Sequence, residues 1–549
     1  MRSISTVFLF TLVLMMGCGA TKPAALVTDE TVGAPLSMLR VQGDKIVDAT
    51  GRTVTLKGVA FGNQVWQEQA VPVLHHNEVD YARLASMGMN STRFYMNHIT
   101  FEDDAAPGVY KPEGWQWIDQ NIEWAKTHGI YLVLTMTHPP GGFQSTGDGD
   151  DLWENPSTQE RLISLWRAIA ARYRDEPVIA GYNFLNEPAV TKSREQWHEL
   201  SGRIVQAVRA VDPNHMFFVE RVDCTAGDWA NDADGNFFKV NDANVVYEFH
   251  FYEPFQFTHQ NASWVDFAED SSVYPDARRA GVMWYDTERR IVFDKNPKLS
   301  VGDSDWTYYQ GAPFTVDDSS LALMKPTLIC EQNAGKAYFD DIVLDQIGPD
   351  GHAEPLWQRN LNTKRGWWWE KTGEGDFAKA PTGHGDDASL SIFGTTGEAE
   401  LSFGGFRTTP GATYRLSGWM KGEHISDGAV CQLRLEFLTA RVPVYGWDKD
   451  FLAAELDAYL AWGRRNHVPM YLGEFGAVRQ AFEDDRGGLR WVSDMLDLLL
   501  ERNVSFSYHD YHEVWMGLYF GDDTLPDPNN ANTALIDLLK KRLGAESVR

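Results

Sequence analysis

Two short stretches far apart in the chain carry residues suited to chemistry. Gly181-Tyr182-Asn183-Phe184-Leu185-Asn186-Glu187-Pro188 follows the apolar run Pro177-Val178-Ile179-Ala180 and stops at a proline. Val468-Pro469-Met470-Tyr471-Leu472-Gly473-Glu474-Phe475-Gly476 repeats the arrangement downstream. Each reads as a buried parallel strand that delivers one glutamate at its carboxyl end. Barrel enzymes keep their chemistry at that end. Two carboxylates facing one another are the equipment for cleaving a glycosidic bond, and the retaining geometry sets them roughly 5–5.5 Å apart. Either glutamate alone reads equally well as a salt-bridged strand end; the pair, with its flanking residues, does not.

Strands and helices alternate around these stretches. Strands are expected at 53–60, 90–95, 130–136, 216–220, 244–250 and 504–508, besides the two that carry Glu187 and Glu474. Amphipathic helices are expected near 77–87, 113–128, 156–173, 193–210, 448–465, 485–502 and 532–543. Short links between them imply parallel pairing and right-handed crossovers. The fold class is therefore α/β, a (β/α)8 TIM barrel of eight βα units, assigned to residues 39–299 and 446–549. Its roughly 360 residues fall within the range of barrels with insertions. The alternation fails over about 255–445. The part up to about 295 reads as extended loops over the barrel mouth. Residues 300–445 read as a β-sandwich inserted after the sixth strand, with short alternating strands such as Ala399-Glu400-Leu401-Ser402-Phe403 between Gly, Asp and Thr turns.

Residues 1–18 read as a lipoprotein-type signal peptide: Arg2, an apolar stretch from Val7 to Met16, then Met16-Gly17-Cys18, with Cys18 as the lipid-bearing residue. An ordinary signal peptide cut nearby is the alternative. Residues 19–38 read as a tether. The expectation is an exported protein: a cell-surface or outer-membrane lipoprotein, or a periplasmic or secreted one, touching membrane only through Cys18. The net charge of −28, from 77 acidic and 49 basic side chains, argues against nucleic acid as a partner. Twenty tryptophans suit a carbohydrate handler, since aromatic rings stack on sugar faces, although most tryptophans are core. Of the remaining cysteines, Cys330 and Cys431 could pair after export and Cys224 is expected to be a buried free thiol. No Cys/His spacing suggests zinc, and no metal or organic cofactor is expected. A monomer is expected.

Lys57-Gly58-Val59, Arg93, His138, Asn186-Glu187-Pro188, His250-Phe251-Tyr252 and Gly473-Glu474-Phe475-Gly476, in that order, resemble glycoside hydrolase family 5, a barrel family of retaining endo-glycosidases. The resemblance covers about 39–265 and 446–545. It implies Glu187 as acid/base and Glu474 as nucleophile. Many members carry Trp at the end of the eighth strand where Tyr508-His509-Asp510-Tyr511 has His509; Trp515 is the candidate to supply that aromatic platform. The insertion resembles carbohydrate-binding modules of the jelly-roll type with their halves in reversed order, because Ala337-Tyr338-Phe339-Asp340-Asp341 precedes Pro410-Gly411-Ala412-Thr413-Tyr414. That implies a circularly permuted module, either sugar-binding or a structural lid.

In this scheme Glu187 must carry its proton at rest, which a nearby negative charge and partial burial favour. Arg93 is the cation expected to keep Glu474 ionised. Asn186 is expected to bind the sugar 2-hydroxyl, Tyr252 to donate to the nucleophile, and His138 and His250 to bind hydroxyls or fix the glutamates. Trp66, Trp153, Trp264 and Trp515 lie in loops after strands and are candidate subsites. The substrate expected is a β-glucan or related polysaccharide, most readily through an endo-β-1,4-glucanase activity. A mannanase or other β-glycosidase is the alternative within the class. A catalytically silent glycan-binding surface protein is the alternative of another class.

Overall fold

The computed structural model describes residues 36–229, 233–265, 269 and 271–544. The leader, Cys18 and the tether up to residue 35 lie outside the described residues. No helix among the described residues is long and apolar enough to cross a membrane.

Eight strands close into a parallel barrel in chain order: Lys57–Phe61, Ser91–Asn97, Tyr131–His138, Ile179–Asn183, Met216–Glu220, Val245–His250, Met470–Phe475 and Ser505–Tyr508. The last pairs with the first, Ser507 opposite Gly58, which closes the ring. All eight are almost wholly buried because helices cover them outside and side chains fill them inside. The helices Pro112–His128, Pro156–Tyr173, Glu195–Arg209, Lys449–Asn466, Gly488–Glu501 and Thr533–Leu543 follow the expected periodicity.

Helix tryptophans fasten the ends of the strands that matter. The Trp166 indole N–H donates to the Phe184 carbonyl (3.0 Å), Trp197 to the Glu220 carbonyl (2.8 Å) and Trp491 to the Glu253 carbonyl (2.9 Å). Each indole is fully buried, so its donor must find a partner, and it finds one at the carboxyl end of a strand.

Two expectations need correction. The return from the fifth to the sixth strand carries no helix among the described residues; residues 223–244 are rich in Asp, Asn and Gly, which favour turns. The boundary at 300 and the extended loops before it also fail. Asp276–Gly281 and Thr287–Phe293 are strands of the inserted sheet. Asp276–Gly281 pairs antiparallel with Tyr445–Trp447, so the chain's way in and way out of the insertion lie side by side.

The long strand Leu323–Ile347 runs through the inserted sheet. Its first half lies between Val430–Ala440 and Ser389–Phe403, its second half against Thr413–Ile425 and Ala353–Arg359. Leu328, Phe339, Ile342, Leu390, Leu401, Leu416, Leu433 and Phe437 form its own core. Cys330 and Cys431 stand directly opposite one another on neighbouring strands and form a buried disulfide, while Cys224 is a buried free thiol.

Candidate active site

A strand points alternate residues to one side. Arg93 and Tyr95 on the second strand therefore share one face, as do Glu248 and His250 on the sixth. Glu474 is the last but one residue of the seventh strand, and Glu220 ends the fifth. Glu187 follows the fourth strand with φ +46°, a left-handed conformation unusual for a residue with a side chain. Two hydrogen bonds hold that turn: Asn186 N–H to the Met136 carbonyl (3.0 Å) and Glu187 N–H to Glu220 Oε1 (3.0 Å). The strain is of order 1–3 kcal/mol and persists only because the surroundings fix it. Gly473 leaves room for Glu248: a Cβ there would overlap the Glu248 carboxylate.

Arg93 is fully buried and faces four acceptors. Its Nη1 lies 2.7 Å from Glu474 Oε1 and its Nε 2.7 Å from Glu248 Oε1. Its Nη2 donates to Asn186 Oδ1 (2.8 Å) and lies 3.3 Å from Glu220 Oε2. The Glu474 carboxylate is occupied on both oxygens. Tyr95 O–H and Arg93 donate to Oε1, and Tyr252 O–H donates to Oε2 (2.7 Å). Burial would push the Glu474 carboxyl up, but His250, His509, Arg93 and the Tyr95 hydroxyl together hold it far below the usual carboxylate range. It is an anion at any working pH.

His250 stands between carboxylates: Nδ1 is 2.9 Å from Glu187 Oε1 and 3.6 Å from Glu474 Oε2, and Nε2 is 3.2 Å from Glu220 Oε1. Burial would lower its pKa, but Glu220, Glu474, Glu187 and Glu248 raise it well above that of a free histidine. Glu187, His250 and Glu474 each present an atom within 4.8 Å of the other two, so the two glutamates share one small gap. That trio, and the trio Glu220, Glu248 and His250, have the composition of metal donors. Both depend on His250, whose Nδ1 hydrogen-bonds to Glu187 Oε1 and whose Nε2 lies 3.2 Å from Glu220 Oε1.

The other expected residues separate into two sets. His138 ends the third strand, stacks on Phe143 (3.8 Å between centroids) and leaves Nδ1 without a partner. Burial and then His98 lower its pKa to about 4, so it is neutral. Trp66 is 41 % exposed and stands edge-on to Tyr95 and His509 (5.8 and 5.7 Å). Trp515 packs against the small cluster of Ala262, Val478 and Met516, as Tyr252 does, and meets Trp264 edge to face (5.2 Å). Trp153 belongs to the core: it is buried against Trp197 and donates to Gln144 Oε1.

Tyr95, Glu220, Glu248 and His509 are members of the cluster that sequence reasoning left out. The signals were present: Tyr95 is two residues from Arg93, and Glu220 and Glu248 are acids inside apolar strands, where an acid is rare unless paired. His509 Nδ1 lies 3.2 Å from the Tyr95 hydroxyl. Tyr95 spends its one O–H on Glu474, so His509 must be the donor in that contact.

A closed parallel barrel with its acids gathered at the carboxyl ends of the strands has the architecture of the barrel enzymes. Residues 47–295 match the family described as Cellulase (glycosyl hydrolase family 5). Endoglucanase C of Acetivibrio thermocellus is 32% identical over 217 residues, 38% of this chain and 61% of that protein. The Beta-xylosidase of Phanerodontia chrysosporium is 30% identical over 260 residues, 40% of this chain and 53% of its own. This chain thus spans less than two thirds of the length of these relatives. A structure of Thermotoga maritima Cel5A in complex with cellobiose aligns over 88% of this chain and 97% of its own, at 16% identity and a TM-score of 0.47.

Proposed function

We propose that the protein is an exported retaining glycoside hydrolase that cleaves β-linked glucan, with an endo-β-1,4-glucanase activity as the leading assignment. The observation that carries this reading is the shared gap between Glu187 and Glu474, whose oxygens lie within 4.8 Å, against the roughly 5–5.5 Å of retaining enzymes. Glu474, ionised and oriented by Arg93, Tyr95 and Tyr252, attacks the anomeric carbon. Glu187 gives its proton to the leaving oxygen as that bond breaks. It then takes a proton from a water, whose oxygen displaces Glu474 and restores the original configuration. Asn186, whose Nδ2 lies beside Glu187 Oε2, is the candidate partner for a sugar hydroxyl. The relatives bear two different activity names, Endoglucanase C and Beta-xylosidase, so a mannanase or other β-glycosidase specificity is the second reading.

Wild type, Glu474→Gln and Glu187→Gln should be assayed on a panel of soluble β-glucans, mannans and xylans, with the anomer of the first product followed by NMR. The expected result is release of the β anomer from a β-glucan, with turnover falling about a thousandfold or more in Glu474→Gln. Intact binding with no turnover by the wild type would favour the silent glycan-binding protein instead. Release of the opposite anomer would remove Glu474 as nucleophile.

A further inference from the structure

We propose that the inserted sheet braces one wall of the cleft, and that this wall, tipped by Trp264, grips sugar units of the polysaccharide beyond the two at the cleaved bond. The proposal rests on the glycoside hydrolase reading above.

Ring contacts lead outward from the nucleophile. Tyr252 donates to Glu474. Its ring meets His259 edge to face (4.9 Å), His259 meets Trp264 (6.2 Å), and Trp264 meets Trp515 (5.2 Å, planes at 78°). Trp264 remains 53 % exposed. An indole held half open beside a second one, and linked through His259 to the residue that orients Glu474, is a stacking surface for sugar faces. Trp66 meets Tyr95, which donates to the other oxygen of Glu474.

The segment that carries Trp264 belongs to the barrel, but two arginines of the insertion hold it. Arg365 donates to the Ala262 carbonyl (2.8 Å). Asn261 N–H donates to the Glu269 carbonyl (2.6 Å), and the buried Glu269 carboxylate receives both Nη2 and Nη1 of Arg279 (2.7 and 3.1 Å) and the Ser272 hydroxyl (2.7 Å). Arg279 lies on the strand Asp276–Gly281, with its guanidinium against the rings of Trp447 (4.1 Å), Phe403 (5.1 Å) and Phe406 (5.2 Å). A buried two-pronged Arg–carboxylate pair fixes orientation as well as distance. The insertion is thereby coupled to the cleft, and Arg365 and Arg279 are positioning residues for Trp264.

Removing one partner of a buried pair is strongly destabilising, so the half-buried Arg365 is the variant of choice. Arg365→Ala, Trp264→Ala and the double variant should be compared on a soluble β-glucan and a short aryl β-glycoside, with amide hydrogen exchange followed over residues 255–265. Both single variants should raise KM for the polymer roughly 3- to 10-fold, with kcat within about twofold. The double variant should be no worse than Trp264→Ala, and exchange should rise in Arg365→Ala. Wild-type KM and exchange in Arg365→Ala, or a double effect equal to the product of the singles, would overturn the proposal. If the wild type cleaves no glycan, the hydrolase reading fails, and the exchange result alone decides whether the brace exists.

Discussion

Glu220 touches no bond that the reaction makes or breaks, yet it receives the Glu187 N–H, His250 and Arg93 at once. It therefore acts on the chemistry through its neighbours. His250 is faced by Glu187, Glu220 and Glu474 from three other strand ends, by Glu248 on its own strand, and shares Glu220 with the Arg93 cation. Its pKa is raised despite burial, so its favourable contribution is complete below the unfolded value of about 6.5 and is lost as pH rises through the raised folded value. Glu220→Gln removes the carboxyl group that raises the His250 pKa most, itself pushed up by burial, and keeps an oxygen for the Glu187 N–H. His250 then releases its proton at lower pH, and the alkaline limb of kcat/KM should move to lower pH. A limb that stays in place, with kcat lowered uniformly, would reduce Glu220 to a backbone clasp. These contacts were partly legible in the sequence, because the two-residue period of a strand places Tyr95 beside Arg93. That period does not reveal which neighbouring strand's acid a side chain meets; this depends on barrel stagger, set by pairings such as His250 opposite Glu474.

At the scale of elements, the helices and barrel strands were legible because burial on one side or both leaves a regular apolar pattern. The first strands of the insertion were not. Asp276–Gly281 and Thr287–Phe293 read Asp-Ala-Arg-Arg-Ala-Gly and Thr-Glu-Arg-Arg-Ile-Val-Phe, and most of their side chains remain outside the core. Their signal lies in pairing, which sequence period does not report. The helix Lys449–Asn466, which resumes the barrel after the insertion, carries a second irregularity: Glu455 sits on its buried face. Burial, then Glu253 and Asp286, raise that carboxyl to about 8. The folded protein thus keeps a proton that the unfolded chain releases near 4.3. The stability this gives is full below that pH and is lost as pH rises to about 8. Glu455→Gln should leave the melting temperature nearly unchanged at about pH 4.5 and raise stability at about pH 8 by roughly 2–4 kcal/mol. Melts that differ from wild type by the same amount at both pH values would show that Glu455 does not titrate in the fold.

For the whole molecule, the question is how a barrel closes when a large sheet interrupts it between the sixth and seventh strands. The pairing of Asp276–Gly281 with Tyr445–Trp447 answers it, because the chain leaves and re-enters the barrel through two neighbouring strands. A domain whose ends lie together can be inserted with little disturbance to either core. The insertion keeps its own apolar cluster and its own covalent link, Cys330–Cys431, which closes a sequence separation of 101 residues within it. In the chain-entropy account, a loop of that length is worth about 4–5 kcal/mol when closed in the unfolded state. Replacing both cysteines by alanine should therefore lower the stability of the inserted sheet by roughly 2–5 kcal/mol and leave the barrel's own core intact. In mild denaturant this variant should lose affinity for a polymeric β-glucan before it loses cleavage of a short aryl glycoside, because the sheet holds the wall and the barrel holds the glutamates. Calorimetry and the two assays at matched denaturant would check it. A single transition, unshifted by the substitutions and with both activities lost together, would mean that barrel and insertion unfold as one unit and that their junction transmits stability in both directions.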